Sequence, residues 1–202
     1  MAFTAGNSRL TSPTAEAIYD AAVDLFYEKG FEATSLRQIA DVVGIKVGSL
    51  YNHIRSKEEL LFNIMRSVMS TLIEQSASAA EGVGDPRERL RAYLATGIRF
   101  HAHHQRAAFV GNTELRALDP LHRRAIVELR DTYQGDLERH VRAALDAHPG
   151  ARDRDVKLAT YAAVALSSHV ASWYRPGGEL SLDDITEGLL DLYVPTRQTP
   201  TA

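Results

Sequence analysis

Apolar residues recur at every third or fourth position along almost the whole chain, and nowhere do they alternate over a sustained stretch. That is the period of a helix face, so an all-α fold is predicted. The first stripe is Ile18, Ala21, Ala22, Leu25 and Phe26, in a helix from about Pro13 to Lys29. Ser12 before Pro13 starts it and Gly30 stops it. Ser35 and Gln38 form a candidate capping box ahead of Leu36, Ile39, Ala40 and Val43, and Gly44 ends that short helix. A third helix, about 47–53, carries Val47, Leu50 and Tyr51, followed by Ile54. Ser56 and Glu59 make a second capping box opening a long helix with Leu60, Leu61, Ile64, Met65, Val68 and Leu72.

Beyond Ala80, Gly82, Gly84 and Pro86 punctuate a linker. Helices are predicted over about 86–104, 106–118, 120–147, 153–174 and 182–193, with breaks at Asp119-Pro120, Pro149-Gly150 and Pro176-Gly177-Gly178. The expected layout has about nine helices: a flexible tail over 1–11, a small three-helix domain over 12–56, a connecting helix over 57–80, and a larger bundle over 81–202. A chain of 202 residues, 45% hydrophobic, is long enough for a small domain fused to a larger one.

Residues 35–57 carry the chemistry. Two short helices joined by a tight glycine turn are the helix-turn-helix pattern, whose second helix enters the major groove of DNA. In Lys46-Val47-Gly48-Ser49-Leu50-Tyr51-Asn52-His53, Leu50 and the following Ile54 can face the core, while Lys46, Val47, Ser49 and Asn52 face outward. Gly48 lets the backbone approach DNA closely, and a glycine in a helix costs about 1 kcal/mol, which suggests a purpose. The chain has 23 Lys+Arg against 26 Asp+Glu, so overall charge does not argue for nucleic acid. Locally, however, Arg37, Lys46, Arg55 and Lys57 face Asp41 alone, and phosphate neutralisation requires only the footprint. Thr34, Ser35, Tyr51, His53 and Lys57 are candidate phosphate contacts, which position the protein without reading sequence. The competing reading is a helical hairpin within a protein-protein interaction module that never touches DNA.

The stretches Phe31-Glu32-Ala33-Thr34-Ser35-Leu36-Arg37-Gln38-Ile39-Ala40, Val43-Gly44-Ile45, Gly48-Ser49-Leu50-Tyr51-Asn52-His53-Ile54 and Ser56-Lys57-Glu58-Glu59-Leu60-Leu61 resemble the signature of TetR-type regulators over about residues 13–65. The resemblance implies a homodimer that binds double-stranded palindromic operator DNA and usually represses. It also implies a C-terminal helical domain that holds a small-molecule effector and forms the dimer interface. Two positions depart from the pattern. Lys46 stands where many relatives have Ser or Thr as a helix cap, and offers a cation instead. Ile54 replaces a common aromatic.

The C-terminal part diverges, so its pocket is read from chemistry: an apolar lining with a few polar groups. Phe100, His104, Phe109, Asn112, Tyr133, His169 and Trp173 are the candidate effector residues, and Glu114 is expected to face solvent. Leu158, Ala162, Ala165, His169 and Trp173 can share one helix face, which suits either a cavity or close helix packing. Trp173-Tyr174-Arg175-Pro176-Gly177-Gly178 resembles the corresponding segment of TetR members that sense acyl-CoA; an aromatic or drug-like effector is the competitor. The last helix, through Leu182, Ile185, Leu189, Leu190 and Leu192, is expected to pair with the helix over 153–174 in both subunits, giving a four-helix dimer interface. His101, His103 and His104 read as an exposed helix end; without HExxH or a matching carboxylate pair, no metal is expected. The absence of cysteine excludes disulfides and thiol catalysis. No P-loop, GxSxG, dinucleotide fingerprint or paired-carboxylate motif appears, so neither an enzyme nor a cofactor is expected. No apolar run reaches a membrane span and the N-terminus has no signal-peptide core, which predicts a cytoplasmic protein.

Overall fold

The structure, a computed structural model, describes residues 12–146 and 153–194. The expected tail over 1–11 and the Pro149-Gly150 break lie outside the described residues. Among the described residues nine α-helices run in the order α1 (Pro13–Lys29), α2 (Leu36–Val43), α3 (Val47–Leu50), α4 (Lys57–Ala80), α5 (Pro86–His103), α6 (Gln105–Thr113), α7 (Pro120–Asp146), α8 (Asp153–Trp173) and α9 (Leu182–Tyr193). A 3-10 turn, Leu115–Ala117, separates α6 from α7. No strand occurs among the described residues. No helix among them is long and apolar enough to cross a membrane.

The caps explain the boundaries. Ser12 accepts the Ala15 N–H at 3.2 Å, and Pro13 sits where its missing N–H has no partner to lose. Asp85 accepts the Arg87 and Glu88 N–H groups and starts α5. Ser181 and Asp184 form a reciprocal capping box on α9. The helix expected over 106–118 breaks at Glu114, and the short continuation is 3-10.

By their contacts the residues form two compact units. Of the described residues, the first contains those up to Thr71 together with Gln105–Asp131; the second contains Leu72–His104 and those from Thr132 onward. The grouping thus cuts across chain order: α6 and the start of α7 belong with α1–α3. In the first unit Ile18, Phe26, Ile39, Leu50, Leu60, Leu61 and Ile64 are sealed from solvent. There α6 is pinned to α1 by Arg106, which pairs with Asp24 at 2.6 Å, and by Phe109, edge-on to Tyr27 at 5.1 Å.

In the second unit α5 packs on α8 and α9. Gly97 permits the closest approach: a Cβ there would lie 2.8 Å from the Tyr133 hydroxyl and 3.5 Å from Ser167 Cβ. Arg91 is buried but fully paired, donating to Asp191 (2.9 Å), Glu187 (2.9 Å) and the Val194 carbonyl (2.8 Å). On α8, Val156, Thr160, Ala163, Ser167 and Val170 form the buried stripe. Leu158, Tyr161, Ala162, Ala165, His169 and Trp173 form the opposite, exposed one.

Candidate nucleic-acid interface

The candidate helix-turn-helix segment is built by local hydrogen bonds. Ser35 Oγ accepts the Gln38 N–H at 3.3 Å, and Gln38 Oε1 accepts the Ser35 N–H at 2.8 Å, so α2 begins on a complete capping box. It ends at Gly44, whose left-handed backbone (φ 76°, ψ 30°) turns the chain sharply; the next N–H, from Ile45, reaches back to Ala40. α3 follows at once. Lys46 stands at its N-cap in an extended conformation with no side-chain capping bond. The α-helix is shorter than the predicted 47–53: it runs from Val47 to Leu50, and the chain then turns through Tyr51–His53 with bonds from Asn52 to Ser49 and from His53 to Leu50. An uncapped start and an internal glycine leave little to prolong it.

Two buried side chains, Leu50 and Ile54, anchor this segment and fix which way the rest points. Lys46, Gly48, Ser49, Tyr51 and Asn52 are exposed, and Val47 and His53 are half-buried. Tyr51 is 54% exposed, unusually open for an aromatic ring. A Cβ built on Gly48 would meet nothing within 4 Å. Its backbone is not left-handed either, so the fold itself does not demand glycine there. Arg37 and Arg55 are exposed beside the segment, and neither they nor Lys46 make an ion pair among the described residues. The local excess of cations is therefore available to an outside anion.

Two predicted phosphate contacts have internal work instead. The Thr34 side chain is buried, and its hydroxyl donates to the Gly30 carbonyl at 2.9 Å and the Leu25 carbonyl at 3.2 Å. Lys57 Nζ donates to the Phe31 and Thr34 carbonyls, each at 2.7 Å, and lies 4.2 Å over the Phe31 ring. Both hold the loop between α1 and α2. Ser35 is exposed, but its hydroxyl serves the cap. Glu114, expected in solvent, is half-buried and accepts the Phe31 N–H at 3.3 Å.

The candidate effector residues are divided between the two units. Phe100, His104 and Tyr133 belong to the second unit, with Phe100 and Tyr133 buried and His104 tilted against Phe100 at 4.6 Å. The Tyr133 hydroxyl is buried beside those of Ser76 and Ser167 without a hydrogen bond of good geometry to either. Sequence reasoning missed Ser76 and Ser167, since a serine within a helix looks the same facing core or water. His169 and Trp173 do not join them: both lie on the exposed face of α8. Phe109 and Asn112 lie in the first unit, Phe109 against Tyr27 and Asn112 exposed. His101 is not part of an exposed helix end: it is buried, and its Nδ1–H donates to the Gly97 carbonyl at 2.7 Å. Burial holds its imidazole below the ordinary histidine range.

Residues 18–64 match the family described as bacterial regulatory proteins, tetR family, and residues 83–195 match the tetracyclin repressor-like C-terminal domain. The chain belongs to the TetR family. Its relatives include the HTH-type transcriptional repressor KstR2 of Rhodococcus jostii, 30% identical over 192 residues, covering 91% of this chain and 90% of that one. Among solved structures it is similar to the ketosteroid transcriptional regulator KstR2 of Mycobacterium tuberculosis (26% identity, TM-score 0.82, covering 94% of this chain and 96% of that one). It is also similar to AibR, solved in complex with isovaleryl coenzyme A and operator DNA (27% identity, TM-score 0.78, covering 89% and 97%). TetR-family repressors are ligand-responsive DNA-binding regulators, and neither the family nor these relatives are enzymes. Nothing in the sequence or the relatives favours an interaction module without DNA.

Proposed function

We propose that this TetR-family chain is a homodimeric repressor that holds a palindromic operator and releases it when a small hydrophobic effector binds. The observation that carries the DNA half is the outward face of α3. Lys46, Gly48, Ser49, Tyr51 and Asn52 are exposed together, on a segment anchored by buried Leu50 and Ile54. Lys46 is the first candidate for a base contact, since a cation there reaches guanine or phosphate. Tyr51, His53, Arg37 and the Ser35 end of α2 supply backbone contacts.

The exposed stripe of α8, with Leu158, Tyr161 and Trp173, is the proposed dimer face, joined by Leu192 of α9. Isologous pairing of α8 and α9 makes a four-helix interface. Two reading heads must stand about 34 Å apart to enter successive major grooves. An effector that prefers a bundle with the heads at another spacing loosens operator binding, and only by the difference between its affinities for the two states. The effector class favoured is an acyl-CoA thioester, on the likeness to AibR and on the Trp173-Tyr174-Arg175-Pro176-Gly177-Gly178 segment. The buried hydroxyls of Tyr133, Ser76 and Ser167, beside the Tyr93 ring that packs on Tyr133, are candidate partners for a carbonyl oxygen in an apolar site. The protein would act in the cytoplasm, where the operator is.

The test is duplex retention at low salt followed by a salt series. The wild-type chain binds and is released as salt rises; the Lys46→Ala, Tyr51→Ala double variant, checked for unchanged helicity, does not bind. Full binding by the double variant overturns the assignment of α3. A gel-shift titration with isovaleryl-CoA, long-chain acyl-CoA and sterol-derived CoA thioesters tests the effector class, and unchanged operator affinity across all three removes it.

A further inference from the structure

We infer a divalent transition-metal site in the first unit, formed by Glu58, Asp119 and His122. It is independent of the DNA and effector assignments. Glu58 lies in the first turn of α4, Asp119 directly before α7, and His122 in the first turn of α7. One ligand atom from each falls within 4.8 Å of the other two. His122 Nδ1 is 2.8 Å from Asp119 Oδ2 and 3.8 Å from Glu58 Oε1. Two atoms bound tetrahedrally to one ion at about 2.1 Å stand roughly 3.4 Å apart, so only small adjustments close this set around a cation.

Three features separate the cluster from an ordinary surface ion pair. His122 Nδ1 is buried and makes no hydrogen bond of proper geometry, although two carboxylates face it. An imidazolium would donate from that atom; a metal-binding imidazole leaves its lone pair there. The ring is also held in place, stacked on Phe62 at 4.1 Å and 24°. Finally, both carboxylates are oriented by backbone donors. Asp119 Oδ1 accepts the Leu121 N–H (2.7 Å) and the His122 N–H (3.0 Å), which leaves Oδ2 for the ion. Glu58 Oε1 accepts the Asp119 N–H at 2.6 Å. Such outer bonds fix ligands around a metal. One imidazole with two carboxylates suits Zn²⁺ or a neighbouring first-row ion over Mg²⁺ or Ca²⁺. The side chains are 35–40% exposed, so water completes the shell. An ion here would tie the first turn of α4, one residue from the Lys57 clamp, to the first turn of α7.

The experiment uses the tag-free, metal-stripped full chain and Zn²⁺ alone. Competition against a chromophoric chelator is expected to show one site per chain, with a raised thermal midpoint. His122→Gln and Glu58→Gln lose it, weakening binding by at least the roughly 10–100-fold that loss of a supporting partner costs. His103→Gln, at an exposed histidine, retains it. Zn²⁺ binding that is equal in wild type and His122→Gln, or absent from both, overturns the site. Imidazole NMR of the wild-type chain decides the matter even if a variant fails to fold: Zn²⁺ must shift the His122 ring, and shifts confined to other histidines refute the assignment.

Discussion

Gly48 offers a test in which fold and function respond with opposite sign. A Cβ added there meets no atom of the chain within 4 Å, and the backbone is not left-handed, so Gly48→Ala introduces neither clash nor strain. Alanine loses less conformational freedom on folding, so the variant gains about 0.5–1 kcal/mol. The shortness of α3 places the gain at the lower end. The DNA complex should lose affinity, because the added methyl occupies the open side of α3, which in the proposed function faces the DNA. Displacing one good contact, worth about 1–3 kcal/mol, weakens binding by roughly 5–150-fold. Urea unfolding measures the first effect; fluorescence anisotropy on duplex DNA at fixed salt measures the second. A variant that is more stable and binds at parity refutes the placement of Gly48 at the DNA surface. One that is destabilised refutes the reading that the space above it is empty.

Lys57→Met distinguishes a loop clamp from a phosphate contact: with the two 2.7 Å charged bonds lost, stability falls by about 2 kcal/mol in urea, while the slope of log affinity against log salt is unchanged instead of dropping by about 0.9. Gly97→Ala drives a Cβ to 2.8 Å from the Tyr133 hydroxyl; the overpacking of about 1–3 kcal/mol exceeds the gain in helix propensity, and adding Tyr133→Phe restores the loss in a double-mutant cycle. Stability should also fall with acid. Burial, then the neighbouring His103 and His101, pushes His104 down to about 4, and burial lowers His101 as well. Because these folded values lie below the unfolded one of about 6.5, the unfolded chain binds more protons in between. Their contribution is therefore complete above about pH 6.5 and is lost as the pH falls towards 4. Urea midpoints between pH 7.5 and 4.5 check this, and His104→Gln should flatten the curve.

Periodicity placed α1, α2, α5 and α9, and Ser12 and Ser35 marked the first two starts; the caps on α5 and α9, Asp85 and Ser181, act just as locally. The outward face of α3 was legible for the same reason: once Leu50 and Ile54 are core, its remaining positions are fixed by helix geometry. What the sequence could not disclose are bonds between distant residues. Thr34 and Lys57 look like phosphate ligands because the carbonyls they satisfy carry no side-chain signature. His101 looks like one of three equivalent histidines until helix register buries it and leaves His103 exposed. On α8 both stripes are rich in small residues, so composition could not say which one carries His169 and Trp173 outward.

The loop from Gly30 to Ser35 shows what these distant bonds accomplish. Where this loop buries Phe31 and Thr34, their backbone groups must be satisfied, and two side chains of opposite charge do so from different directions. Glu114, at the break after α6, accepts the Phe31 N–H; Lys57, at the start of α4, donates to the Phe31 and Thr34 carbonyls. Thr34 completes the set by closing onto Gly30 and Leu25. The entry to α2, and through the Gly44 turn the direction of α3, is thereby referred to α4 and to the end of α6 at once. Moving either helix end would require breaking a charge-assisted bond or carrying the loop along. That makes Glu114 and Lys57 positioning residues for α3, the proposed reading helix.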